Sequence, residues 1–234
     1  MRKYYSHTLL YLHETVALGS GRSDQFTEVF DDTYHPMMAD LGARLFAMWE
    51  TTPYNGHWPQ VTIIWEIDGF ADYARIGAAQ ARGGSHEAPA AKWSAFLAEI
   101  RASGEGRIMY PGPSNKTLSQ LTDAKFDASL VIQEIMQTKP GRQDDYIREL
   151  ERLYVPWSER TGKRWLGSFT TTFRYNEVIH YWALDGGWEC FAEHYPSWKE
   201  NPPAEIVTWM SVAPALRDGW EDSILQALPP SPLR

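Results

Sequence analysis

Apolar positions follow two rhythms along the chain. Runs at residues 9–16, 44–52 and 61–67 are extended and rich in branched and aromatic side chains, as strands are. Between the first two, Phe26, Val29, Phe30, Thr33, Tyr34 and Met37 recur every three or four positions, which predicts a helix with one buried face. Asp24 stands near its start, where a carboxylate complements the free N–H groups, and Gly42 follows its end. Pro36 falls late in the run and is expected to kink or end the helix nearby. Asn55-Gly56 marks a turn between the second and third strands. A second helical region over about 70–101, broken by a loop, and a short strand at 107–110 complete the set. The order is β-α-β-β-α-β, the ferredoxin-like unit.

The same set then recurs. An offset of 120 residues lays Glu14 over Glu134 without a gap as far as Thr52 over Thr172. Within that span Gly21, Arg22, Asp24, Tyr34, Pro36, Gly42, Arg44 and Thr51 also meet identical residues, where background composition gives roughly 2 or 3 matches. Trp65, Asp68 and Gly69 then match Trp182, Asp185 and Gly186 at an offset of 117, a small indel in a hairpin loop. The second copy is read as strands at 130–137, 164–173, 178–184 and 223–227, with Tyr146, Leu150, Leu153, Tyr154 and Trp157 on one helical face and a second helical region over about 188–217. The expected division is a first repeat over 1–113, a polar linker over 114–127 and a second repeat over 128–234. A ferredoxin-like sheet carries helices on one face only. Two such sheets can cover each other's bare faces as a barrel around a cavity.

At these residues the chain resembles the dimeric α/β-barrel superfamily, and within it the NIPSNAP-like group. Thr138-Lys139-Pro140-Gly141-Arg142 is similar to the Lys-Pro-Gly turn that opens the first helix there, and Tyr34-His35-Pro36 is similar to the helix-end His-Pro of EthD-type proteins. The first copy has Leu18-Gly19-Ser20-Gly21-Arg22 at the turn and so departs from the pattern. The resemblance implies an α+β fold of two tandem units forming one barrel-type domain. It leaves the chemistry open, since the superfamily includes cofactor-free monooxygenases, cyclases, isomerases, haem enzymes and proteins of no known activity.

Composition narrows the partners. A net charge of −8 with scattered basic residues speaks against nucleic acid. No apolar run is long enough for a membrane span, and the N-terminus lacks a signal-peptide pattern, so a cytoplasmic protein is expected. The lone Cys190 reads as a buried, inert thiol. Dispersed histidines without a His-Glu-x-x-His or paired-Cys motif predict no metal site. A homo-oligomer is compatible with the pattern but not required by it. The aromatic content, 14% with 11 Trp, suits both core packing and a pocket for a flat, apolar ligand.

Strand alternation singles out polar side chains at otherwise apolar positions. One set holds Glu14, Glu50 and Glu66, with Glu134, Ser168, Thr170 and Tyr181; the other holds Tyr11, His13, Gln133 and His180. The glutamate set is expected to face the cavity, where crowded carboxylates raise one another's pKa and supply an acid or base. The candidate catalytic residues are Glu14, Glu50, Glu66 and His13, with Trp49, Trp65, Trp182, Tyr181, Thr170 and His180 binding substrate. The competing structural reading pairs Glu14 with Arg44 and Glu134 with Arg164. Three functions follow. The first is a cofactor-free acid–base enzyme (dehydratase, isomerase or cyclase) for an aromatic or terpenoid-like molecule. The second is a haem- or oxygen-dependent oxidoreductase with His13, His35 or His180 as ligand. The third is a non-catalytic binding protein.

Overall fold

The computed structural model describes residues 9–19, 21–193 and 202–234. Its first part contains β1 (Leu10–Leu18), α1 (Ser23–Val29), α2 (His35–Asp40), β2 (Arg44–Thr51), β3 (Gln60–Ile67), α3 (Phe70–Gln80), α4 (Glu87–Ile100) and β4 (Arg101–Pro111). After α5 (Leu118–Asp123) the pattern repeats as β5 (Leu130–Thr138), α6 (Gln143–Glu149), α7 (Val155–Arg160), β6 (Lys163–Thr171), β7 (Glu177–Leu184), α8 (Ala204–Val212) and β8 (Arg217–Ala227). The middle of the second helical region of this copy lies outside the described residues. The strands run in the order β4-β1-β3-β2 in the first unit and β8-β5-β7-β6 in the second. The pairings β1–β3, β1–β4, β2–β3, β5–β7, β5–β8 and β6–β7 are all antiparallel. This is the ferredoxin-like arrangement, twice.

Each proline falls at an irregularity in its helix, as expected of a residue that kinks or ends one. Neither ends its helix. Phe30–Tyr34 and Leu150–Tyr154 widen into a π turn, and α2 and α7 continue beyond it. Pro36 and Pro156 have no N–H to offer the preceding turn. The residue before each donates instead five residues back, His35 N–H to the Phe30 carbonyl and Val155 N–H to Leu150. That the same irregularity falls at the same place in both copies confirms the repeat, and π turns of this kind concentrate at functional sites.

The chain up to Tyr110 together with Ala227–Leu233 forms one compact unit, and Pro111–Gln226 the other. Each copy's closing tail therefore packs with the other copy's sheet. In the second unit Gly112 N–H donates to the Ser168 carbonyl at 2.7 Å and Ser168 N–H to Asn115 Oδ1 at 2.9 Å. In the first, Leu228 N–H donates to the Met48 carbonyl at 3.0 Å and Met48 N–H to Ser231 Oγ at 3.1 Å. Met48 and Ser168 are equivalent by the repeat. The residues beyond each closing strand are thus part of the repeat, and the stretch expected to link the copies also carries α5, whose Thr117 and Gln120 form a reciprocal N-terminal cap.

Candidate active site

Cross-strand partners share a sheet face. In the first unit Leu12 stands opposite Trp65 and Glu14 opposite Ile63, and this face packs beneath Phe26, Phe30, Tyr34 and Trp93 of the helices. Tyr11 opposite Glu66 and His13 opposite Ile64 lie on the other face. Glu50, opposite Val61, returns to the helix face because β2 carries a bulge between Leu45 and Ala47. The glutamates expected to share one cavity are therefore divided. Alternation was read correctly within β1 and β3, the bulge breaks it within β2, and the register between strands puts even positions of β1 against odd positions of β3.

Each first-copy glutamate has its own local partners. Glu14 Oε1 accepts from Tyr34 Oη at 2.7 Å and Trp65 Nε1 at 3.0 Å; burial raises its pKa, and the two donors oppose the rise. Glu66 accepts from Tyr11 Oη at 2.8 Å and pairs with Arg44 at 2.9 Å, and Arg44 also reaches Asp68 at 2.7 Å. Glu50 accepts a hydrogen bond from Ser23 Oγ at the start of α1. His13 and Trp49 are fully buried on the face away from the helices, while Trp65 lies beneath them. Arg44 thus serves Glu66, and Arg164 bonds the Asp127 carbonyl at 2.8 Å and stacks on Phe126. Neither arginine makes the structural pair with Glu14 or Glu134 that the repeat had suggested.

The helix-covered face of the second unit is different in kind. Ser168 on β6 stands opposite His180 on β7, His180 opposite Glu134 on β5, and Glu134 opposite Asp222 on β8. A row of four polar side chains crosses the sheet, from buried Ser168 and His180 through partly accessible Glu134 to exposed Asp222. The equivalent row in the first unit reads Met48, Ile63, Glu14 and Gly106. Aromatic rings frame the polar row. Trp165 lies 4.4 Å from Trp182 and 5.6 Å from His180, Tyr146 stacks on His180 at 5.4 Å, and Tyr154 meets Trp182 edge-on at 5.4 Å. Thr170, opposite Val178, belongs to this face as well. Tyr181 does not: it bonds Gln133 at 2.6 Å on the other side of the sheet.

The electrostatics of the row follow from its burial. Loss of hydration, then the Asp222 charge, push the Glu134 carboxyl up to about 7, while Lys163, Trp182 and Arg217 pull it down. Asp222 is raised as well, first by partial loss of hydration. Burial and the Arg217 charge lower His180 to about 3, so its imidazole is neutral at physiological pH. Glu134 can therefore hold or release a proton near neutrality. Asp222 and Arg217 escaped the sequence reading because the closing strand was placed at 223–227 and begins at Arg217, and Lys163 because β6 begins one residue before the strand read from 164. Extending the alternation back from Ile224 would have put Asp222 on the same face.

Of the three histidines considered as haem ligands, His13 and His180 are buried on opposite faces, and His35 lies near Asp31 at 3.6 Å. Among the described residues no group of three His, Cys, Asp or Glu side chains could hold a metal ion, and no helix is long and apolar enough to cross a membrane. Cys190 is buried against the Thr161 and Gly162 carbonyls, and burial raises its thiol pKa.

No family model matches the sequence, and no curated protein does. Solved structures of similar fold exist. An anthrone oxidase-like protein matches with a TM-score of 0.65 at 13% identity, over 98% of this chain and 95% of its own. A protein from Fusobacterium nucleatum subsp. nucleatum, provisionally described as a monooxygenase, gives 0.60 at 8% identity over 95% and 94%. A Lactobacillus acidophilus protein with the same provisional description gives 0.58 at 10% identity over 93% of each chain. NIPSNAP-domain proteins are also among the structural neighbours, one from Burkholderia xenovorans spanning 46% of this chain and 99% of its own with a TM-score of 0.39. The chain thus has the α+β fold of the dimeric α/β-barrel proteins, in the form of two tandem ferredoxin-like units.

Proposed function

We propose that the second unit carries the active site of a small-molecule enzyme in which Glu134 transfers protons to and from an apolar, aromatic substrate without a tightly bound cofactor. The observation that carries this reading is the polar row Ser168–His180–Glu134–Asp222, set across an aromatic face where the first unit has Met48, Ile63, Glu14 and Gly106. A carboxylate half-removed from water and poised near neutrality is a competent general base, a role worth on the order of 10²–10⁴ in rate. Dehydration, isomerisation or cyclisation are the reactions such a group serves. Trp165, Trp182, Tyr146 and Tyr154 would flank a planar molecule, and exposed Asp222 marks the side from which it enters.

A substrate-independent test uses a nitrobenzisoxazole, a flat probe whose ring opens when a base removes its C–H proton. The intact protein should accelerate the opening, Glu134→Gln should lose at least about a hundredfold of that acceleration, and Glu14→Gln should keep it. Loss in Glu14→Gln with retention in Glu134→Gln would overturn the assignment. Anthrone, from the description of one structural neighbour, is a planar compound suited to the first ligand screen.

A further inference from the structure

Trp220 on β8 stands beside the exposed end of the polar row. It is 54% exposed, although it lies opposite buried Met136 on the face that the helices cover. Its ring is nonetheless held in place. The Arg217 guanidinium lies over one face, 4.0 Å from the ring centre, and the indole N–H is bonded to Asp222, two residues further along the strand. Arg217 is anchored in turn by Tyr146 and by the Trp209 ring at 5.8 Å. Strand pairing does not require this arrangement. The first unit has Gly104 where Trp220 stands and Gly106 where Asp222 stands, and its strands pair in the same register without either side chain. Leaving so large a ring in water forgoes the stabilisation that burial brings. A ring fixed on one face and open on the other therefore calls for an occupant.

We infer that Trp220 is a docking platform for a neutral, planar phenol, whose ring stacks on the open indole face and whose hydroxyl donates to Asp222. The inference rests on the reading of this row as the active site. Three features select that ligand. A cation on one face draws the indole π density toward itself, so the open face is less negative and takes an electron-rich ring better than it takes a cation. Asp222 is the acceptor, since a carboxylate has about four acceptor positions and the indole N–H uses one. An aromatic anion is disfavoured, because residues 217–222 set Asp218, Glu221 and Asp222 against Arg217 alone. An arene without a hydroxyl would stack and leave Asp222 unengaged. Asp222 is the direct cross-strand partner of Glu134, so a ring seated on Trp220 presents its hydroxyl edge toward the base.

Equilibrium dialysis of 2-naphthol against the full chain, at a pH where the phenol keeps its proton, tests the docking site without any turnover. Wild type should bind 2-naphthol several-fold more tightly than naphthalene. Trp220→Ala should weaken binding about tenfold, and Trp220→Phe, which restores a ring, should recover most of it. Asp222→Ala should erase the preference for naphthol over naphthalene. Equal naphthol affinity in wild type and Trp220→Ala would overturn the platform; if Glu134→Gln still loses nitrobenzisoxazole opening, the base stands without it. Naphthol binding that depends on Trp220, in a protein that opens no nitrobenzisoxazole, would remove the base and keep the platform. Sedimentation of wild type and Trp220→Ala tests the other occupant of an exposed ring, a second copy of the chain. Both should sediment alike. A wild-type dimer that Trp220→Ala dissociates would give the ring to that second copy and overturn the inference.

Discussion

Glu134 and Asp222 are direct cross-strand partners on β5 and β8, one partly enclosed and the other exposed. The Asp222 charge is the second largest cause of the raised Glu134 pKa, and Lys163 is the strongest opposing charge. Asp222→Asn should therefore shift the pH midpoint of base activity below about 7, and Lys163→Met should shift it above. The pH dependence of nitrobenzisoxazole opening in the two variants measures both shifts. Movement in the same direction for both would show that neither charge acts on Glu134.

The same carboxyl links stability to pH. Its folded pKa of about 7 lies above the ordinary 4.5, so the folded state binds the proton more tightly than the unfolded chain does. Stability from this group is complete below about 4.5 and is lost as pH rises through about 7. Glu134→Gln should melt at a higher temperature than wild type above that window, with the difference shrinking toward acid. Thermal melts across the range check it. A wild-type advantage at alkaline pH would contradict the account.

His180 works in the opposite sense. Its folded pKa of about 3 lies below the ordinary 6.5, so its contribution is present above 6.5 and lost as pH falls toward 3. His180→Phe should flatten that part of the acid limb of the stability profile. An acid limb identical to wild type would mean that His180 is not buried neutral.

In the first unit, Glu14 serves the packing of Tyr34 and Trp65. Glu14→Leu leaves the two donors unpaired and should cost on the order of 1–3 kcal/mol for each. Glu14→Gln keeps an acceptor and should cost much less. Denaturant unfolding of the two variants separates them; equal losses would show that the hydrogen bonds contribute nothing beyond volume.

Gly167 on β6 has a φ of +149°, and a Cβ there would sit 2.7 Å from the Asn115 side chain. Gly167→Ala should lose several kcal/mol, about 1–3 of it from the backbone alone. Adding Asn115→Gly should recover the steric part and leave the backbone part. No recovery in the double variant would locate the whole loss in the backbone.

Much of the fold was legible in the order of residues because it rests on local rules. Alternation in β1 and β3, the three-to-four spacing from Phe26 to Met37, and turns at Gly21 and Gly141, both at positive φ near +71° and +72°, are properties of short segments. Duplication then doubled each signal. The candidate site was legible only in part. Glu134, His180, Ser168 and Trp182 were all noticed as polar or aromatic interruptions of apolar strands, yet His180 was assigned to the face opposite Glu134 and the emphasis fell on Glu14, Glu50 and Glu66.

What a single strand cannot carry is its register against the next. Moving a pairing by one residue turns a side chain to the other face of the sheet, and the bulges between Leu45 and Ala47 and between Trp165 and Gly167 do that within a strand. Tertiary pairing alone put Glu66 with Tyr11 and away from Glu14, and brought Asp222 to Glu134 from 88 residues further along the chain. The sequence by itself determined two ferredoxin-like copies, since hydrophobic period and turn chemistry are written locally. Only the folded sheets decided which copy gathers its polar residues into one row, because that depends on hydrogen bonds between segments that share no local code.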